Sequence, residues 1–155
     1  MSKSTLSKIF IKYVLVMLGA LSAWIAAMCV IFNLMINTGF VYPANYAERR
    51  IDEAYEALQN ADAITEDMIP PLCKYALFSM DGKLIDGNMP QKSVQTAWQA
   101  VNHKNTSGNY FYKVVFRSDG YLVLQYSLTP KYSSTALNDR FIGPQNMMIV
   151  VTIIG

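Results

Sequence analysis

The side chains able to do chemistry are few, and their spacing excludes most reactions. One histidine, His103, and two cysteines, Cys29 and Cys73, stand beside thirteen Lys and Arg and eleven Asp and Glu. One imidazole and no G-x-S-x-G leave no Ser-His-Asp triad to assemble, so no catalytic residue is assigned. Zinc lacks Cys and His ligands. The acids Glu48, Asp52, Glu53, Glu56, Asp62, Glu66 and Asp67 could offer oxygens to a hard divalent cation, but Arg49 and Arg50 sit among them, as on a solvated helix face. Neither a metal nor a cofactor is expected. His103 reads as a solvated residue near a helix C-terminus, where positive charge is favourable. Cys29 lies inside an apolar run and Cys73 at the start of a strand beyond it, so the two do not pair within one chain, and Cys73 reads as a small buried hydrophobe, with an intermolecular disulfide as the alternative. Asn105-Thr106-Ser107 is a polar loop.

The most informative chemistry lies on a hairpin around Asp119-Gly120. Alternation puts Tyr110, Tyr112, Val114 and Phe116 on one face of its first strand, and Phe111, Lys113, Val115 and Arg117 on the other. The returning strand divides into Leu122, Leu124, Tyr126 and Leu128 against Tyr121, Val123, Gln125 and Ser127. The first set of each strand reads as core. The second set suits an acidic or amphipathic ligand, with Lys113 and Arg117 as anion partners and Phe111 and Tyr121 as stacking groups. The same pattern also describes an ordinary solvent face of a half-buried sheet.

These strands belong to a chain with a strongly uneven composition. Of 155 residues 52% are hydrophobic and only 15% charged, and the mean hydropathy is +0.18, too apolar for an ordinary soluble domain. The net charge of +2 supplies no basic face for nucleic acid. From Tyr13 to Ile36 no residue carries a formal charge. As a helix this run is about 36 Å long, enough to span a hydrocarbon core of about 30 Å with some tilt. Lys3, Lys8 and Lys12 precede it and no charge follows until Glu48, so the positive-inside rule puts the N-terminus in the cytoplasm and everything after Asn37 outside. A cleaved signal peptide is the rival, but its apolar core normally runs only about 7–15 residues. The stretch Met147 to Ile154 is a second apolar run. It reads as the start of another transmembrane helix cut short, or else as a short apolar terminal strand.

Between the two runs lies a loop of about 105 residues with its own pattern. Pro43 suits the first turn of a helix whose Ala47, Ile51, Ala54, Leu58 and Ala61 form a narrow stripe, fit to pack on a sheet or on its twin in a dimer. Thr65 can cap a short helix ended by Pro70-Pro71. Leu77 to Ile85 and Val115 to Val123 each read as strand, Asp-Gly turn, strand. Val94, Ala97, Trp98 and Val101 between them mark an amphipathic helix. The fold class is α+β, a small antiparallel sheet packed by helices.

A basic N-terminus, a membrane helix, a long helix leading into Tyr75-Ala76-Leu77-Phe78-Ser79-Met80-Asp81-Gly82-Lys83-Leu84-Ile85-Asp86-Gly87-Asn88, a second hairpin and a returning apolar run resemble the input half of a bacterial sensor histidine kinase. The resemblance implies a PAS-like extracytoplasmic sensor domain. It divides the chain into a cytoplasmic N-terminus (1–12), a transmembrane helix (13–36), the sensor domain (37–145) and the beginning of a second span (146–155). Kinases of this type that sense lantibiotics and other antimicrobial peptides have loops of about this size. The implied partners are an extracellular ligand such as a peptide, a second copy of the chain, the membrane, and a cytoplasmic response regulator reached through a kinase part. That part is not in this sequence: His103 is followed by Lys104-Asn105 rather than by an acid, and the Asn and Gly-rich ATP boxes are missing. The alternative is a membrane-tethered binding module of a chemoreceptor, a cyclase or a cell-envelope complex.

Overall fold

Without charges to interrupt it, the N-terminal segment forms one continuous helix in the computed structural model, which describes residues 3–102 and 108–154. His103 and the Asn105-Thr106-Ser107 loop lie outside the described residues. The elements follow in the order α1 (Lys3–Asn37), β1 (Val41–Tyr42), α2 (Tyr46–Asn60), β2 (Lys74–Ser79), β3 (Leu84–Gly87), α3 (Gln91–Val101), β4 (Phe111–Arg117), β5 (Gly120–Tyr126), β6 (Lys131–Tyr132), α4 (Thr135–Arg140) and α5 (Pro144–Ile154). They form two compact units, Met1–Tyr42 with Pro130–Gly155, and Pro43–Thr129.

In the first unit, Ser7–Asn37 of α1 is long and apolar enough to cross a membrane, and none of its most apolar window is buried. Ser22, Asn33 and Asn37 find side-chain partners within the helix, as suits an apolar surrounding. The Ser22 hydroxyl donates to the Leu18 carbonyl at 2.8 Å, and the Asn37 amide to Asn33 Oδ1 at 2.7 Å. Thr38 closes the helix with backbone and hydroxyl donors on the Leu34 carbonyl, followed by Gly39 at φ +71°. β1 and β6 pair antiparallel, Val41 opposite Tyr132 and Tyr42 opposite Lys131, so the residues just before Pro43 and just after Thr129 are tied together. Asn138 completes this ladder. Its Oδ1 accepts from the Tyr132 backbone N–H at 2.8 Å, and its Nδ2 donates to the Tyr132 carbonyl at 2.8 Å.

The second unit is a four-stranded antiparallel sheet in the order β3-β2-β5-β4 with a helix on each face. Both hairpins form, the first turning around Asp81-Gly82 and the second one residue earlier than expected, at Ser118-Asp119, with Gly120 already paired in β5. The first needs Gly82, whose φ of +83° and closeness to the Trp98 ring leave no room for a side chain. The stripe of α2 packs on one face: Ala47, Ile51 and Leu58 are buried with Tyr75, Val115, Leu122, Leu124 and Tyr126. The stripe of α3 packs on the other: Ala97 and Val101 are buried with Ala76, Phe78 and Val123, with Trp98 beside them 5.3 Å from the Phe78 ring.

Three local expectations are corrected. Helix α2 starts at Tyr46 instead of Pro43, because Pro43 serves as the carbonyl partner of the Tyr46 N–H in a preceding turn. Thr65 stands before a 3₁₀ turn, Glu66–Met68, and offers its backbone carbonyl to Met68 while its side chain makes no cap bond. The expected single core face of the second hairpin is not there. Arg117 pairs with Gly120 across the Ser118-Asp119 turn, so Val115 faces Leu122 and Phe116 faces Tyr121. Directly opposite residues of an antiparallel pair share a face. The odd positions of β4 therefore join Leu122, Leu124 and Tyr126 under α2, while Tyr112 and Val114 join Val123 under α3. Both faces are core, and of the residues assigned to one core Tyr110 and Leu128 are 54% and 37% exposed.

Candidate functional site

The sheet register decides where the four residues proposed to meet a ligand lie. Phe111, Lys113 and Arg117 alternate down β4 on the α2 side, whereas Tyr121 lies opposite Phe116 on the α3 side. Tyr121 packs edge-on against Phe116 at 6.0 Å and against Trp98 at 5.9 Å. The shared surface of all four is therefore not assembled.

Arg117 is 7% exposed. Its Nη1 donates to the Leu58 carbonyl at 2.6 Å and its Nη2 to the Ala61 carbonyl at 2.8 Å, while Nε and Nη2 fork onto the Asp119 carboxylate at 2.9 and 3.1 Å. The guanidinium thus occupies the carbonyl end of α2, where a cation is favoured, and ties that end to the hairpin turn. The hydrogen bond from Arg117 holds the Asp119 carboxyl below the usual carboxylate range. Sequence alternation put Arg117 beside Lys113 correctly but could not show that a helix end lies over it.

Lys113 and Phe111 remain at the surface. Lys113 Nζ donates to Asp52 Oδ1 of α2 at 3.1 Å, with both side chains about half exposed. Phe111 is 46% exposed and its ring lies 5.9 Å from that of Tyr126. Beneath it the Tyr126 phenol is pushed up to about 12, first by burial and then by Glu48, whose Oε1 it reaches at 3.5 Å. Cys73, half-buried beside the α2 core, is likewise pushed up to about 12 by burial, which favours the protonated thiol at neutral pH. Among the described residues no three His, Cys, Asp or Glu side chains converge to hold a metal.

Two concavities were not legible in the sequence. In the first unit, a cavity of about 140 Å³ is lined by Met28, Ile31, Phe32 and Met35 of α1 together with Tyr132, Pro144, Met147 and Val151. The charge-free run marked α1 as apolar on every side and did not single out this face. The Tyr132 hydroxyl at its edge donates to the Ile142 carbonyl at 3.3 Å. In the second unit, an open groove of about 310 Å³ runs between α2 and the Glu66–Met68 turn, lined by Arg50, Glu53, Ala54, Asp67, Met68, Ile69, Pro70 and Pro71. The acidic run had marked this region, without the apolar floor.

No family model matches the chain, and no solved structure matches it. By sequence it is similar to the sensor histidine kinase SpaK of Bacillus subtilis, with 33% identity over 141 residues. The match takes in 87% of this chain, which spans 30% of the length of that relative. Identity at this level over most of its length makes the chain a homologue of a sensor histidine kinase over the part it spans.

Proposed function

We propose that the chain is the stimulus-sensing region of a membrane sensor histidine kinase. The observation that carries this reading is the 33% identity to a sensor histidine kinase across 87% of the chain. Two features support it. Helix α1 is long and apolar enough to span, and Pro43–Thr129 forms an α+β unit with its own two-faced core. In this reading residues 1–12 are cytoplasmic, α1 crosses the membrane, residues 37–145 form a PAS-like extracytoplasmic domain and α5 begins a returning span. The protein works as a homodimer, its stimulus is a peptide of the antimicrobial or lantibiotic type, and its output reaches a cytoplasmic response regulator. Exposed Phe111 offers an aromatic contact to that stimulus and half-exposed Lys113, on exchanging its Asp52 partner, a cationic one, while Arg117 and Tyr121 hold the strands that present them.

For a signal to pass, the stimulus must bind two arrangements of the protein with different free energy. The test joins this chain to the kinase part of the Bacillus subtilis relative and records phosphorylation of a response regulator. A dose-dependent response to an applied antimicrobial peptide is the expected result. A correctly inserted chimera that responds to none of a panel of such peptides would overturn the peptide-sensing reading in favour of a tethered binding module.

A further inference from the structure

We propose that the groove between α2 and the Glu66–Met68 turn binds a cationic side chain carried beside an apolar one on a peptide ligand. The proposal rests on the sensor reading but not on the Phe111 and Lys113 surface, which has the opposite charge. Ala54, Met68 and Ile69 give the groove an apolar floor, and Arg50, Glu53 and Asp67 line its charged walls. Among the described residues that line the groove, Arg50 is the cation, and it is already engaged. Arg50 Nη1 donates to Glu53 Oε2 at 3.0 Å, its Nε reaches the Tyr46 hydroxyl at 3.4 Å, and its guanidinium lies 5.5 Å from the Tyr46 ring centre. These contacts keep the guanidinium charged and pair it with Glu53, which leaves Asp67 as the carboxylate of the groove without a partner among the described residues.

Asp67, by contrast, is exposed and has neither a hydrogen bond nor an ion pair from its side chain among the described residues. Pro70 and Pro71 close the groove with residues that have no N–H to offer an anion. The surrounding charge points the same way. Residues 46–69 hold seven acids against two bases, in a chain whose net charge is +2. A small cation alone would not use the apolar floor, and no three metal-ligating side chains converge among the described residues. At about 310 Å³ the groove is near the lower end of ligand-pocket sizes, so it fits side chains of an extended peptide better than a folded partner.

The experiment uses the whole chain in phosphatidylcholine nanodiscs at about 0.15 M salt, where distant surface charges are screened. The probes are a fluorescent Lys-Leu-Lys-Leu peptide and its Glu-Leu-Glu-Leu counterpart, read against empty nanodiscs by anisotropy. Binding of the cationic probe alone is expected. Asp67→Asn should weaken it about tenfold, as loss of a charge-assisted contact would, and Ile69→Ser should weaken it comparably. Asp62→Asn and Glu56→Gln remove the same charge outside the groove and should change it less than twofold. Equal losses in all three charge variants, or no binding of the cationic probe, would overturn the proposal. In the kinase chimera, a peptide response that Asp67→Asn does not shift would sink the groove and leave the sensor reading standing. Binding that Asp67→Asn weakens, in a chimera that never responds, would support the groove and sink the sensor reading.

Discussion

Arg117 shows how a charged residue is made part of a core. Its guanidinium supplies donors to two carbonyls at the end of α2 and to Asp119, so each of its three nitrogens has a hydrogen-bond partner. Arg117→Ala should lower stability by about 2–4 kcal/mol, because two helix-end carbonyls lose their donor in a place water does not replace it well. Arg117→Lys should recover only part of this, since an ammonium cannot reproduce the fork. Denaturation of the whole chain in detergent micelles would check both. The Asp119 carboxyl is held below its unfolded value by the Arg117 hydrogen bond. Its contribution is therefore full above about pH 4 and is lost as pH falls through the lower folded value. Asp119→Asn should flatten the acid limb of a stability-against-pH curve while leaving its slope between pH 6 and 8 unchanged. A steeper acid limb in the variant would mean that the pair does not stabilise the fold.

At the scale of elements, the sheet is held from both sides by helices of different length. Helix α2 is polar apart from its stripe, and Leu58 within that stripe is fully buried. Leu58→Ala should cost about 2–5 kcal/mol, the range for emptying a packed site, whereas Glu56→Ala on the exposed face should change stability by less than about 0.5 kcal/mol. The first hairpin depends on its turn. Gly82→Ala must hold a side chain at φ +83° against the Trp98 ring, at a cost of about 1–3 kcal/mol. Chemical denaturation measures each, and a neutral Gly82→Ala would show that the turn and α3 do not touch in solution. The hairpins and both helices were legible because each has a local signature, an Asp-Gly turn or a 3-4 apolar spacing. The β1 and β6 ladder and the short α4 were not, since two-residue strands and a six-residue helix carry too little periodicity to recognise.

At the scale of the whole molecule, the three lysines before α1 predict a cytoplasmic N-terminus and an external Pro43–Thr129 unit. With Cys29 and Cys73 replaced by Ser, a membrane-impermeant maleimide should label Glu56→Cys in intact cells and Ser7→Cys only after lysis. The reverse pattern would invert the topology that Lys3, Lys8 and Lys12 imply. Much of this architecture follows from the sequence alone. A charge-free run forces a helix with internally satisfied backbone, an Asp-Gly pair between alternating runs forces a hairpin, and apolar residues three and four apart force one buried helix face. What only the tertiary structure decided is which of these faces meet. The two-residue turn at Ser118-Asp119 sets odd positions of β4 against even positions of β5, and a change of one residue in that register would exchange the faces of every side chain on the strand. That register moved Tyr121 away from Phe111 and Lys113, and the docking of α2 turned Arg117 from an exposed cation into a buried cap. Side-chain types are local properties of the chain, whereas burial is a property of the partner surface, which lies dozens of residues away.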